Sequence, residues 1–298
     1  MLKVEISKWQ EHLQCLKDAC GWLDVSRGRA RDYQKLLKEY FEEDLRTREH
    51  ILAMNESCEI CDIYNLWKEH VRKFPDRLKD KIKRTFGSGG ILREGEKSSN
   101  SSNRARNDAF VFYLAGKLIN AGADVFSVES ICASGATCQG DADVTLNWNG
   151  TLVDVQCKRP QNANRLEERA EEALSQINKA GREGIIAIDC SATIRPPGKL
   201  LPDKSEEMAV KFLDSKLDKH AVGLSEYYNS DRIRALILFA RAPANITVSE
   251  SPILSSRGKR YVYYRPYSVC SFLVFINDAY ADHNALKAIL GRIASQER

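Results

Sequence analysis

The dipeptide Asn149-Gly150 stands between two runs of alternating apolar and polar side chains, Val144 to Trp148 and Leu152 to Cys157. Both turn residues accept the positive φ that a two-residue hairpin demands, so the runs are expected to fold back on each other as antiparallel strands. Successive side chains of a strand point to opposite faces. Val144, Leu146 and Trp148 therefore share one face of the first strand, and Asp143, Thr145 and Asn147 the other. On the second strand Val153, Val155 and Cys157 point into a core, while Asp154, Gln156 and Lys158 point the opposite way. Asp143 then faces Gln156 or Asp154, depending on register.

The chain around this hairpin changes character once. Residues 1–86 read as helices: Leu13, Leu16, Cys20 and Leu23 recur at three- and four-residue steps, as do Tyr33, Leu36, Leu37, Tyr40 and Phe41. Pro75 interrupts this region or starts a new helix at Asp76. Residues 87–103, from Gly87-Ser88-Gly89-Gly90 to Ser101-Ser102-Asn103, have little to bury and read as a flexible linker. Beyond it, 104–298 is expected to be a second domain. A helix from Asp108 to Ala121, a strand from Asp124 to Val128, the hairpin, a charged helix from about Asn164 to Lys179 and a buried strand from Gly184 to Ile188 follow in order. A helix from about Ser205 to Lys219, strands at Ile233 to Ala240, Tyr261 to Tyr264 and Phe272 to Ile276, and a helix from Asn284 to Ala294 complete it. Helices alternating with buried strands imply an α/β fold, a mixed central sheet sandwiched by helices, behind an all-helical N-terminal domain.

With 298 residues the chain is long enough for one large core or two ordinary ones. No apolar run approaches the ~20 residues of a membrane span, and the first residues show no apolar stretch of the kind a secretory signal needs. Nine cysteines without an export signal lead to the expectation of reduced thiols and a cytoplasmic setting. A net charge of +4 permits nucleic-acid binding without indicating it, because a local patch matters more than the total.

The polar face of the hairpin suits phosphodiester hydrolysis. That reaction requires the charge of the scissile phosphate to be neutralised and a hydroxide equivalent to be made near neutral pH, and Mg²⁺ does both with oxygen ligands. A lysine beside the ion orients or helps to deprotonate water and stabilises developing negative charge. Asp143, Gln156 and Lys158 supply a carboxylate, an amide oxygen and that lysine.

These residues resemble the motif of the PD-(D/E)XK, or restriction-endonuclease-like, nuclease superfamily. There a helix leads into a hairpin with an acid on one strand and acid-x-Lys on the next, followed by a helix and a further strand. Asp143 matches the first acid, and Gln156-Cys157-Lys158 matches the second element in the glutamine variant of Mrr-type enzymes. The resemblance covers residues 104–190. It implies a Mg²⁺- or Mn²⁺-dependent endodeoxyribonuclease in prokaryotic restriction or anti-phage defence, with DNA as substrate. Asp143, Gln156 and the Cys157 backbone carbonyl would ligate the metal and Lys158 would activate or position water. The N-terminal helical domain would recognise DNA or dock a motor or sensor subunit. Departures are visible: Ala142 stands where a proline is usual, Gln156 replaces the commoner acid, and Asp108 is the nearest acid where the preceding helix often carries a glutamate. These features favour an alternative, a catalytically silent member that binds nucleic acid or a partner protein; a ribonuclease is equally compatible with the motif.

Further positions are weaker. Asp154 on the same face is a source of extra charge, Asp141 an alternative to Asp143, and Gln176 a residue that orients a ligand unless it is a solvated helix position. Arg159 is a phosphate contact or an ordinary surface arginine. Lys79, Lys81, Lys83 and Arg84 belong to a basic run that suits a DNA backbone or a solvated helix face. Cys58 and Cys61 form a lone CxxC; a structural zinc site would need two more ligands, with His70, Cys15 or Cys20 as candidates. The aromatic segment Tyr261 to Tyr267 suits base stacking or ordinary strand packing.

Overall fold

The computed structural model describes the backbone of residues 2–43, 45, 47–88, 104–133, 142–195, 199–201, 205–247, 264–280 and 284–295, and the side chains of all of these but 2–8, 104, 245–247, 264–267, 278, 284–286 and 294–295. The expected linker, apart from its first two residues, falls outside this range. Four helices come first: α1 (Leu2–Trp22), α2 (Arg29–Glu42), α3 (Arg48–His70) and α4 (Asp76–Gly87). Leu16, Leu23, Tyr33 and Leu37, whose spacing marks them as helical, are buried together with Ile63, Trp67, Ile82 and Phe86. Pro75 stands immediately before α4, where the chain is extended and a missing N–H breaks no helical hydrogen bond.

Next comes α5 (Arg104–Asn120), the most buried helix of the molecule's centre. Every residue from Ala109 to Ala115 is at most 4% exposed. Seven consecutive buried residues span nearly two turns, so no side of this stretch meets water. One side packs on the sheet, where Phe110 stacks on Phe239 and Tyr113 on Phe272. The other is covered by α3, whose Trp67 ring meets Phe112 edge-on. The N-terminal helices and this face of the sheet thus share one continuous apolar cluster.

Among the described residues the sheet has seven strands: β1 (Val125–Val128), β2 (Ile131–Cys132), β3 (Val144–Trp148), β4 (Thr151–Lys158), β5 (Glu183–Asp189), β6 (Ile233–Thr247) and β7 (Tyr264–Ile276), in the order β2-β1-β3-β4-β5-β6-β7. The pairs β4–β5 and β5–β6 are parallel; all other neighbours are antiparallel. The crossovers between parallel strands carry α6 (Leu166–Ala180) and then α7 (Ser191–Ile194), α8 (Glu206–Gly223) and α9 (Ser225–Tyr228). The face opposite α5 is a second cluster, with Ala170, Ala173 and Ile177 of α6 and Leu213 and Leu217 of α8 against Ile186, Ile188, Leu236 and Leu238. The last helix, α10 (Asn284–Ser295), returns to the α5 face through Ile289, Leu290 and Ile293. The protein is therefore α/β, with helices on both faces of a mixed sheet.

One expectation is corrected. The two short strands at Tyr261 to Tyr264 and Phe272 to Ile276 give way to the single strand β7, which starts at Tyr264; residues 261–263 lie outside the described range. Among the described residues β7 is an edge strand, where Pro266 can be placed without costing a ladder hydrogen bond. β6 is longer than its apolar run because its second half pairs with β7 beyond the point where β5 ends, and Pro243 sits in that half.

Where α3 crosses α5, Gly116 makes room for Trp67, whose indole N–H donates to the Phe112 carbonyl at 2.7 Å. A Cβ at position 116 would lie 2.8 Å from the Leu66 Cβ and 3.1 Å from Trp67 Nε1. Gly116→Ala is expected to cost about 1–3 kcal/mol despite the better helix propensity of alanine, read as a lower urea midpoint with an unchanged m-value. Equal or greater stability of the variant would mean that the two helices do not approach this closely.

Candidate functional site

The register of the hairpin settles what Asp143 faces. Val144 pairs with Val155 and Thr145 with Asp154, which sets Asp143, just before β3, level with Gln156. Because β3 runs antiparallel to β4, Asp143 lies beside the carboxyl end of β4, the end of parallel strands where α/β proteins commonly bind ligands. Its Oδ2 accepts the Cys157 N–H at 2.7 Å, joining the two strand ends. Gln156 is 2% exposed, and the Cys157 side chain faces the α5 core, where burial pushes its thiol well up, so that only the backbone of Cys157 is available to a ligand.

Burial pushes the Asp143 carboxyl up to about 6; the Cys157 N–H and Lys158 oppose this, and the nearby Glu129 and Asp108 carboxylates add to it. Lys158 donates to Gln176 Oε1 at 2.6 Å and pairs with Glu172 Oε1 at 3.1 Å, both on α6. The three residues of the motif therefore converge, and Gln176 touches Lys158 directly. Asp108, at the start of α5, is near enough to act on Asp143 electrostatically. Asp141 lies outside the described residues. Asp154 is committed elsewhere: it is buried, accepts from Thr145 Oγ1 at 3.3 Å and pairs with Arg182 at 3.2 Å. It supplies no spare negative charge to the site.

Two participants were missed from sequence. Glu172 lies four residues before Gln176 and so on the same face of α6, a usable signal. Glu129 occupies the turn between β1 and β2 with φ of 50°, and its N–H donates to the Asp143 carbonyl at 2.7 Å. No pattern in the sequence marks it.

The basic candidates separate. Lys81 binds the Glu129 carbonyl at 3.0 Å and its carboxylate at 3.1 Å, at the edge of the site. Lys79 lies over the Trp22 ring, Lys83 pairs with Asp24 and Arg84 is exposed in the last turn of α4. Arg159 is corrected: it is buried and tied within the protein, not offered to a phosphate. Its Nε lies 2.6 Å from Asp189 Oδ2, its Nη1 lies 3.2 Å from Glu59 Oε1, and it donates to the Arg106 carbonyl at 2.6 Å. Arg159 belongs to a largely buried seam in which Arg29, Arg106, Arg159 and Arg241 meet Glu56, Glu59, Asp62 and Asp189, with Asp62 at its outer end 40% exposed. Three of those carboxylates come from one side of α3.

Cys58 and Cys61 carry free thiols; burial pushes Cys58 up to about 11 and adds to the rise of Cys61, whose leading cause is its contact with Cys15. Zinc takes thiolates, and among the described residues no three His, Cys, Asp or Glu side chains are grouped to hold a metal. Cys132 is disulfide-bonded, which corrects the expectation of wholly reduced thiols; spacing along the chain does not reveal which sulfurs a turn brings together. Among the described residues no helix is long and apolar enough to cross a membrane. No protein-family model matches the chain, and no curated protein matches it.

Mg²⁺ is suited to such a place because it needs only one or two carboxylates and fills its remaining positions with water and phosphate oxygens. The donors here are all oxygen: Asp143, the Gln156 amide and the Cys157 carbonyl. The elevated proton affinity of Asp143, caused by burial and reinforced by two neighbouring carboxylates, is what a cation would relieve. The same elevation sets a pH dependence. A carboxyl that titrates at about 6 when folded and near 3.9 when unfolded favours folding fully below about pH 4 and loses that contribution as pH rises through 6. In EDTA, Asp143→Asn should therefore match the wild type near pH 4 and exceed it by up to roughly 3 kcal/mol at pH 8, measured by urea unfolding across that range. Parallel stability curves for the two proteins would refute the elevation.

Proposed function

We propose that the chain is a Mg²⁺-dependent endodeoxyribonuclease of the restriction-endonuclease-like type, acting through Asp143, Gln156 and Lys158. The observation that carries this reading is the convergence of those three residues at one end of adjacent strands, with Asp143 hydrogen-bonded to the Cys157 N–H between the other two. The order of elements adds support. Helix α5 leads into β1, β3 and β4, which are antiparallel in turn, and α6 crosses to β5 parallel to β4, the arrangement that the resemblance implies.

In this mechanism Asp143, the Gln156 side-chain oxygen and the Cys157 carbonyl would hold the ion, and Lys158 would position the attacking water. When bound, Mg²⁺ would neutralise the scissile phosphate and lower the pKa of a bound water. Asp143 must be ionised to bind, so metal binding and a proton leaving its carboxylate are coupled. Lys158 is held on the α6 side by Glu172 and Gln176 and keeps its ammonium beside the place where negative charge grows. Glu172 and Gln176 fix its rotamer. Mn²⁺ is expected to substitute for Mg²⁺. A biological role in restriction or anti-phage defence in the cytoplasm, with a motor or sensor partner on the helical region, extends the proposal.

One observation favours a second reading. Lys158 already has two partners on α6 and Gln156 brings no charge, as suits a silent member that binds nucleic acid or protein without cleaving it. Incubation of supercoiled plasmid and of single-stranded RNA with the wild type, Lys158→Ala and Asp143→Asn, in Mg²⁺, Mn²⁺ and EDTA, separates the alternatives. The nuclease reading expects metal-dependent plasmid nicking that falls about 10²–10³-fold in Lys158→Ala and is lost in Asp143→Asn. Cleavage of RNA alone would make it a ribonuclease. Cleavage that survives in Lys158→Ala would remove the hairpin from the chemistry. Nucleic-acid binding without cleavage by any of the three proteins would favour the silent fold.

A further inference from the structure

The end of β4 is gripped from both faces. Lys158 points toward α6, and Glu172 and Gln176 hold it there. The next residue, Arg159, points the other way, as alternation along a strand requires. Its guanidinium is held by Glu59 of α3, Asp189 at the end of β5 and the carbonyl of Arg106 at the start of α5. Arg106 is itself fixed to α3, donating through Nε to Glu56 at 2.9 and 3.0 Å, and Glu56 also accepts from Tyr33 of α2. Asp108 follows Arg106 by two residues. One side of α3 therefore holds the residue after Lys158 and the residue two before Asp108; Lys158 and Asp108 are two of the three side chains, with Glu129, whose charges act on Asp143.

We propose that the acidic side of α3, through Glu59 above all, is a positioning element of the hairpin site: it sets how Lys158 and Asp108 stand relative to Asp143. The proposal rests on the nuclease reading for its kinetic readout and makes Glu59 a positioning residue, since it reaches the site only through Arg159. Arginine suits this post because its planar fork presents donors in fixed directions to two carboxylates and a carbonyl, whereas a lysine offers a point charge on a flexible stem. A purely structural role would be shared by the whole seam. The same helix provides the control: Asp62 pairs with Arg241 of β6, not with the hairpin or the start of α5.

The full chain is tested as wild type, Glu59→Gln and Asp62→Asn, by steady-state cleavage of a DNA duplex at saturating Mg²⁺, and by hydrogen exchange with EDTA present. Displacement of a catalytic group by about 1 Å can cost ~10²-fold in rate, so Glu59→Gln should lose about 10- to 100-fold in kcat with little change in KM, while Asp62→Asn keeps its kcat. In exchange, the amides of residues 157–159 and 106–108 should open faster in Glu59→Gln than in Asp62→Asn. Equal kcat and equal exchange in the two variants, or losses that follow only their melting temperatures, would overturn the proposal. If the wild type cleaves nothing, the nuclease reading fails by itself, and hydrogen exchange alone decides whether Glu59 positions the hairpin. Should Glu59→Gln not fold, Glu59→Asp, which keeps the charge but withdraws it by one methylene, is read in the same way.

Discussion

A helix with no polar side must be covered from every direction, and α5 is such a helix. Its buried run from Ala109 to Ala115 places apolar side chains around its whole circumference. Packing on the sheet covers one half only. The other half requires α3 and α4, so the helical region is bound to the sheet by the same hydrophobic force that forms either part. The lack of a side chain at Gly116 and the indole hydrogen bond of Trp67 bring α3 against α5 at close range. Everything around the hairpin inherits its position from this contact: α5 supports β1, β3 and β4 from below, and α3 carries the acids that meet the arginines at the strand ends.

The buried seam does a different job from the apolar contact. Burying charged pairs gains little net stability, because desolvation offsets most of the attraction, but separating the partners leaves charge stranded and is costly. Such a seam therefore penalises wrong placements of α3 more than it strengthens the right one. Apolar packing alone tolerates small slides and rotations; the meeting of Arg159 with Glu59, Asp189 and a backbone carbonyl does not. A site that depends on ångström-scale spacing of a carboxylate and a lysine lies beside the contacts that are least permissive of displacement.

The strands, turn and sidedness of the hairpin were legible because a turn dipeptide, two alternating runs and a polar face are local information, whereas its register, with Asp143 level with Gln156 and not Asp154, came from the structure. The buried strand at 184–188 was legible for a similar reason, as an apolar run bounded by turn residues. What escaped was set by distant chain. Arg159 looks like surface charge until α3 is folded against it, and its partner Glu59 lies 100 residues away. Glu129 depends on a turn whose left-handed residues are not glycines, so composition gave no warning. Gln176 and Glu172 fell on the expected helix, but only the packing of α6 on β4 turned them toward Lys158.

The same separation of local from distant contacts imposes an order in time. Asp143 and its Cys157 partner are 14 positions apart, and their hairpin can close as soon as it forms. The strand that flanks β5 on its far side begins at Ile233, and without it β5 has one open edge at the end where Asp189 meets Arg159. Long-range parallel pairing is slow because loop closure must precede the contacts that reward it. During synthesis from the N-terminus, α3 and the hairpin emerge long before β6 and β7 can enclose the sheet. The polar end of β4 is thus sketched early and made rigid late, so that full constraint on these residues waits for the arrival of β6 and β7.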